Sequence, residues 1–146
     1  MNRITHASAL IALCVTGAVA CGGSRGVGEF VPGPAADFRN AANAEVRSTE
    51  DQVILSGSFV EAASDSDEVE RKATLVASGT GGTASGSAEV ESCRDNDCDK
   101  QEVEFDIVNA PPNATLLLLI DGKPVGTVTT DGKGRASVER DVPLPR

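Results

Sequence analysis

Between residues 102 and 107 the apolar Val103, Phe105 and Ile107 alternate with the acidic Glu102, Glu104 and Asp106. A period of two predicts a half-buried strand. Ala84, Gly86, Ala88 and Val90 alternate in the same way with Ser85, Ser87, Glu89 and Glu91, which predicts a strand with a small-residue face. Val53 to Val60 predicts another, with Gly57 marking a bulge or a close backbone contact. Val69 to Ala77 is a strand whose inward face is left open, because Val69, Arg71, Ala73 and Leu75 compete with Glu70, Lys72, Thr74 and Val76. Thr115 to Ile120 is the continuous apolar run of a central strand. Asp121-Gly122 then turns the chain into Val125 to Thr130, and Asp131-Gly132-Lys133-Gly134 turns it into Ala136 to Val142. Asp-Gly between apolar segments is a strong hairpin signal, so the last three strands are predicted to form a meander. About seven or eight strands with almost no helical periodicity predict an all-β fold, a small antiparallel β-sandwich over residues 45–146.

The amino-terminal pattern is different. Ala7 to Val19 is an apolar run of 13 residues, short of the roughly 20 that a helix needs to span a bilayer. Arg3 precedes it and the small residues Ala18-Val19-Ala20 follow, the layout of an export signal over residues 1–20. Residues 21–44 read as a disordered linker: Gly22-Gly23-Ser24-Arg25-Gly26-Val27-Gly28 is small and flexible, Pro32-Gly33-Pro34 interrupts any element, and the alanine-rich piece from Ala35 to Ala42 is long enough for only two helical turns.

Cys21 directly after Ala20 makes this segment resemble a bacterial lipoprotein signal with its lipobox, although Ala18 stands where leucine is usual. The resemblance implies that Cys21 is the lipid-attachment residue, its thiol linked to diacylglycerol and its amine commonly acylated after cleavage. The alternative is ordinary signal peptidase, which also accepts Ala18-Val19-Ala20 and would leave Cys21 a plain terminal residue. Each buried methylene contributes about 0.8 kcal/mol and two acyl chains suffice for stable anchoring, so the lipid alone would hold the domain on a membrane of the cell envelope. Gly22 is not the aspartate that retains many such proteins at the inner membrane, which favours the outer one. The stretch from Leu119 to Ala136, with its Asp121-Gly122, Val125-Gly126-Thr127 and Thr130-Asp131 landmarks, is similar to a hairpin pattern of small bacterial extracytoplasmic β-domains. That likeness implies a fold and no activity.

Charge and composition narrow the function. Loss of residues 1–20 would remove Arg3 and no acid, leaving 12 Lys+Arg against 22 Asp+Glu. A surface this acidic repels phosphate backbones and anionic lipid, which argues against nucleic acid as a partner; the expected partner is another envelope protein, met through strand edges or loops. Trp and Tyr are absent and the four Phe are Phe30, Phe38, Phe59 and Phe105, so platforms for stacking sugars or bases are missing. The single histidine, His6, lies in the export segment, which removes Ser-His and Cys-His pairs from the mature chain. The expectation is a non-enzymatic interaction or structural module.

Two patterns carry candidate chemistry. Cys93 and Cys98 are the thiols left once Cys14 is cleaved off and Cys21 is lipidated, and in an exported protein a disulfide is their expected state, with free thiols or a metal as the lesser readings. Asp95, Asp97 and Asp99 put carboxylates at alternate positions, as calcium loops do, which makes a calcium-binding or calcium-stabilised module the alternative function. Lys100 stands where the calcium loop needs glycine, and a solvated acidic turn is the plainer reading. Gly79-Thr80-Gly81-Gly82-Thr83-Ala84 matches a dinucleotide fingerprint by letter only, since Ser85-Gly86-Ser87-Ala88 is a poor helix start.

Overall fold

The computed structural model describes residues 29–64, 68–95 and 98–145. The export segment, Cys21 and its glycine-rich tether lie outside the described residues, as does Asp97. Ten strands follow one another: β1 (Glu29–Pro32), β2 (Asn43–Ser48), β3 (Val53–Ser58), β4 (Val60–Ser64), β5 (Glu68–Ala77), β6 (Ser85–Asp95), β7 (Cys98–Val108), β8 (Thr115–Ile120), β9 (Lys123–Thr129) and β10 (Ala136–Val142). All pairings are antiparallel. No helix among the described residues is long and apolar enough to cross a membrane.

The all-β expectation holds, but the arrangement is one sheet and not a two-sheet sandwich of seven or eight strands. Its order is β1-β9-β8-β2-β3-β5-β6-β7-β10, with β4 also paired to β5, and it curls into a half-barrel. The joint between the two halves is narrow: β3 meets β5 only through Leu55↔Ala77 and Ser56↔Val76. Twist accumulated along so many strands lets the sheet wrap its apolar face around itself. Gly57 lies beside that joint, where a Cβ would come within 2.2 Å of the Thr74 carbonyl oxygen. This is the close backbone contact that Gly57 announced.

The meander is also corrected. β8 and β9 form the expected hairpin, with Asp121 (φ 49°) and Gly122 (φ 73°) both in the left-handed region that such a tight turn requires. β10, however, pairs with β7 through Ala136↔Ile107 to Val142↔Gln101, while the free edge of β9 is taken by β1. The Asp131 turn therefore carries the chain across from one half of the sheet to the other. Asp131 holds it by accepting from the amides of Lys133 and Arg135 at 2.8 and 2.9 Å.

Residues 29–44 are part of the folded body, contrary to the expected linker. β1 is an edge strand, and residues 33–42 form a strap without helix that buries Ala36, Phe38 and Ala41 in the common core. The buried side chain of Gln101 accepts from the Phe38 amide at 2.9 Å and donates to the Ala36 carbonyl. The carboxylate of Asp121 accepts from the amides of Ala42 and Asn43. Burying an aromatic ring is worth about 1.5–3 kcal/mol, enough to order a short strap whose polar groups are met.

β5 settles its open register with Ala73 and Leu75 inward. Together with Ala88 and Val90 of β6, Val103, Phe105 and Ile107 of β7, and Ala136 and Val138 of β10, they line the inner face of this half of the sheet. The alternate positions of the same four strands face outward.

Candidate functional site

Many outward positions of β5, β6, β7 and β10 are acidic, and the ladders bring them into register in two rows. Glu70 stands opposite Glu91, Glu91 opposite Glu102, and Glu102 opposite Asp141. Two residues along the strands, Lys72 stands opposite Glu89, Glu89 opposite Glu104, and Glu104 opposite Glu139. Asp106 continues the face one row further. Adjacent strands are about 4.8 Å apart, so each row is a line of carboxylates spaced at the strand separation. Like charges directly opposite are each destabilising by roughly 0.2–1 kcal/mol, a cost the apolar inner face beneath them must offset.

Lys72 is the one cation in the two rows. Its ammonium lies 2.5 Å from Glu70 and 3.2 Å from Glu89, bridging the carboxylates of two strands. The two glutamates with which it pairs push its pKa up to about 12. Glu89 is pushed up to about 7, first by burial and then by the hydrogen bond it donates to Glu70. Glu70 is held below the ordinary carboxylate range by Lys72 and by that same hydrogen bond. Below pH 7, therefore, Glu89 carries the proton and Glu70 the charge. Glu102 is raised by burial and by its neighbours Glu139, Asp141 and Glu91, and Glu104 by burial and by Asp106 and Glu139. The carboxylates of Glu91, Glu102, Glu104, Glu139 and Asp141 have no ion pair within the described residues.

The face is nearly flat. A depression of about 240 Å³ is lined by Ala63, Ser64, Glu68, Glu70 and Glu91, and a second of about 130 Å³ lies beside Glu68, Glu91, Lys100 and Glu102. Both fall below the several hundred Å³ of a small-molecule cleft. One carboxylate oxygen from each of Glu70, Glu89 and Glu91 lies within 4.8 Å of the others, close enough to share a metal ion. Lys72 already bridges two of the three.

The residues singled out in the sequence fall elsewhere. Cys93 lies on β6 opposite Lys100. Cys98 opens β7 opposite Asp95, and Asp99 stands opposite Arg94. The side chains of residues 94–99 lie outside those described, so the Asp95, Asp97 and Asp99 set and the partner of Cys93 have no geometry here. Gly79–Gly81 is a single 3-10 turn joining two antiparallel strands, not the start of a phosphate-binding helix.

The acidic face went unnoticed in the sequence, although a signal was present. Glu-Val-Glu occurs three times, at Glu68-Val69-Glu70, Glu89-Val90-Glu91 and Glu102-Val103-Glu104, and each copy falls on one of three consecutive strands. No known protein family, characterised protein or solved structure matches the chain.

Proposed function

We propose that the protein is a non-enzymatic module of the bacterial cell envelope that is held by lipid on Cys21 and works by binding another envelope protein through its acidic sheet face. The observation that carries this reading is the pair of in-register carboxylate rows on β5, β6, β7 and β10, seven acids against Lys72. A sheet that keeps like charges opposite one another gives up stability that neutral residues would recover, and binding a cation returns it. The shallow relief of the face and the lack of histidine in residues 21–146 favour binding over catalysis. In this reading Cys93 pairs with Cys98, bracing the hairpin at the end of the face.

A photoactivated crosslinker placed at Glu91, in cells making the lipidated protein, should trap a protein partner. The same crosslinker at Leu117, on the outward side of β8, should trap none. Equal yields at the two positions would count against the reading, as would palmitate label entering a Cys21→Ala variant as well as the wild type. Mass spectrometry before and after alkylation should find no free thiol at Cys93 or Cys98.

Calcium binding is a second reading, favoured by the convergence of Glu70, Glu89 and Glu91. Melting temperatures that do not change between calcium and chelator would remove it.

A further inference from the structure

We propose that the occupant of the acidic face is a lysine-rich extended segment of the partner protein, its ammonium groups seated between carboxylates of adjacent strands. The inference rests on the interaction-module reading above and names the chemistry of its partner.

The molecule contains a template for the contact. Lys72 shows that an ammonium fits between carboxylates of neighbouring strands, at 2.5 and 3.2 Å. The same diagonal relation recurs between Glu102 and Glu139, while Glu91 with Glu102, Glu102 with Asp141 and Glu104 with Glu139 stand directly opposite one another; none of these pairs is met by a cation of this chain among the described residues. The dimensions suit an extended chain. Four strands at about 4.8 Å span about 15 Å, the reach of about five residues at ~3.3 Å each.

A bare divalent cation fits less well. Calcium takes six to eight oxygens, and the carbonyl groups of these central strands are committed to the β5–β6, β6–β7 and β7–β10 ladders. The tightest carboxylate group, Glu70 with Glu89 and Glu91, is already met by Lys72. Nucleic acid and anionic lipid are repelled by the same charge that attracts lysine.

The test is titration calorimetry of the mature protein with a synthetic peptide of alternating lysine and serine. The expected result is saturable binding that weakens at least tenfold between 50 and 200 mM salt. Glu91→Gln/Glu102→Gln/Glu104→Gln should lose at least tenfold in affinity. Glu45→Gln/Glu50→Gln/Asp51→Asn, the same charge change on the other half of the sheet, should lose less than twofold. Equal losses in the two triple variants would reduce the effect to net charge and overturn the proposal. Saturable calcium binding without peptide binding would overturn this partner and leave the acidic face as a binding surface. Binding of neither would remove both.

Discussion

The two halves of the curled sheet share one core and differ in what they show to water. The half made of β2, β3, β8 and β9 carries outward Ser56, Ser58, Thr115, Leu117, Thr127 and Thr129. Its few charges are balanced locally: Arg47 pairs with Glu45 at 2.6 Å and with Asp51 at 2.7 Å. In its two acidic rows the half made of β5, β6, β7 and β10 sets carboxylate against carboxylate in every pair except Lys72 with Glu89. Both halves fold, so exterior charge does not decide the fold. It distinguishes a surface that is merely solvated from one under electrostatic load, and the load is where a ligand can act.

The comparison breaks most severely if the inner face stops supporting the acidic half. Phe105→Ala, beneath the centre of the rows and 1% exposed, should cost about 3–5 kcal/mol in urea unfolding. A loss below 1 kcal/mol would mean that this half does not depend on its core. Next in size is the response to pH. Glu89 has a folded-state pKa of about 7 against an ordinary 4.5, so the folded state binds the extra proton between those values. Stability should therefore fall as pH rises from 4.5 to 7, and Glu89→Gln should flatten that slope. At the acid end Asp37 and Asp131, both held low by Arg39 and by the Arg135 amide respectively, contribute stability that is lost as pH drops through their lowered pKa values. A melting temperature rising steadily from pH 5 to 7.5 would contradict this assignment.

A smaller effect sharpens the contrast. Glu104→Gln removes one like-charge neighbour and should stabilise by roughly 0.2–1 kcal/mol, whereas Arg47→Ala on the balanced half should destabilise only slightly, since exposed pairs are worth little. Added salt should stabilise the wild type by screening the acidic rows, and should do so less in the Glu104→Gln variant. Thermal melts at low and high salt check all three.

Strand identity was largely legible from residues alone. The alternation at 102–107 and the run at 115–120 became β7 and β8, and Asp121-Gly122 became the turn it resembled. Partner choice was not. Asp131-Gly132 has the same local chemistry as Asp121-Gly122, yet it ends in a crossing because β1 already occupies the edge of β9, a fact stored one hundred residues away. The strap was missed because its signal is a single ring, Phe38, in a segment rich in proline, glycine and alanine. The acidic face was missed for a related reason: three Glu-Val-Glu triplets are only three exposed edges until two hairpin registers and the docking of β10 align them. A shift of one residue in either hairpin would scatter the rows.

The pairing of β1 with β9 has a consequence for how the molecule is made. Glu29 meets Thr129, so the first described strand cannot find its place until almost the whole polypeptide has been synthesised. β10 likewise closes on β7 from the carboxy-terminal end. Contacts so distant along the chain slow folding and leave a partial chain without either border strand. Both edges of this sheet are set only once β9 and β10 have been made.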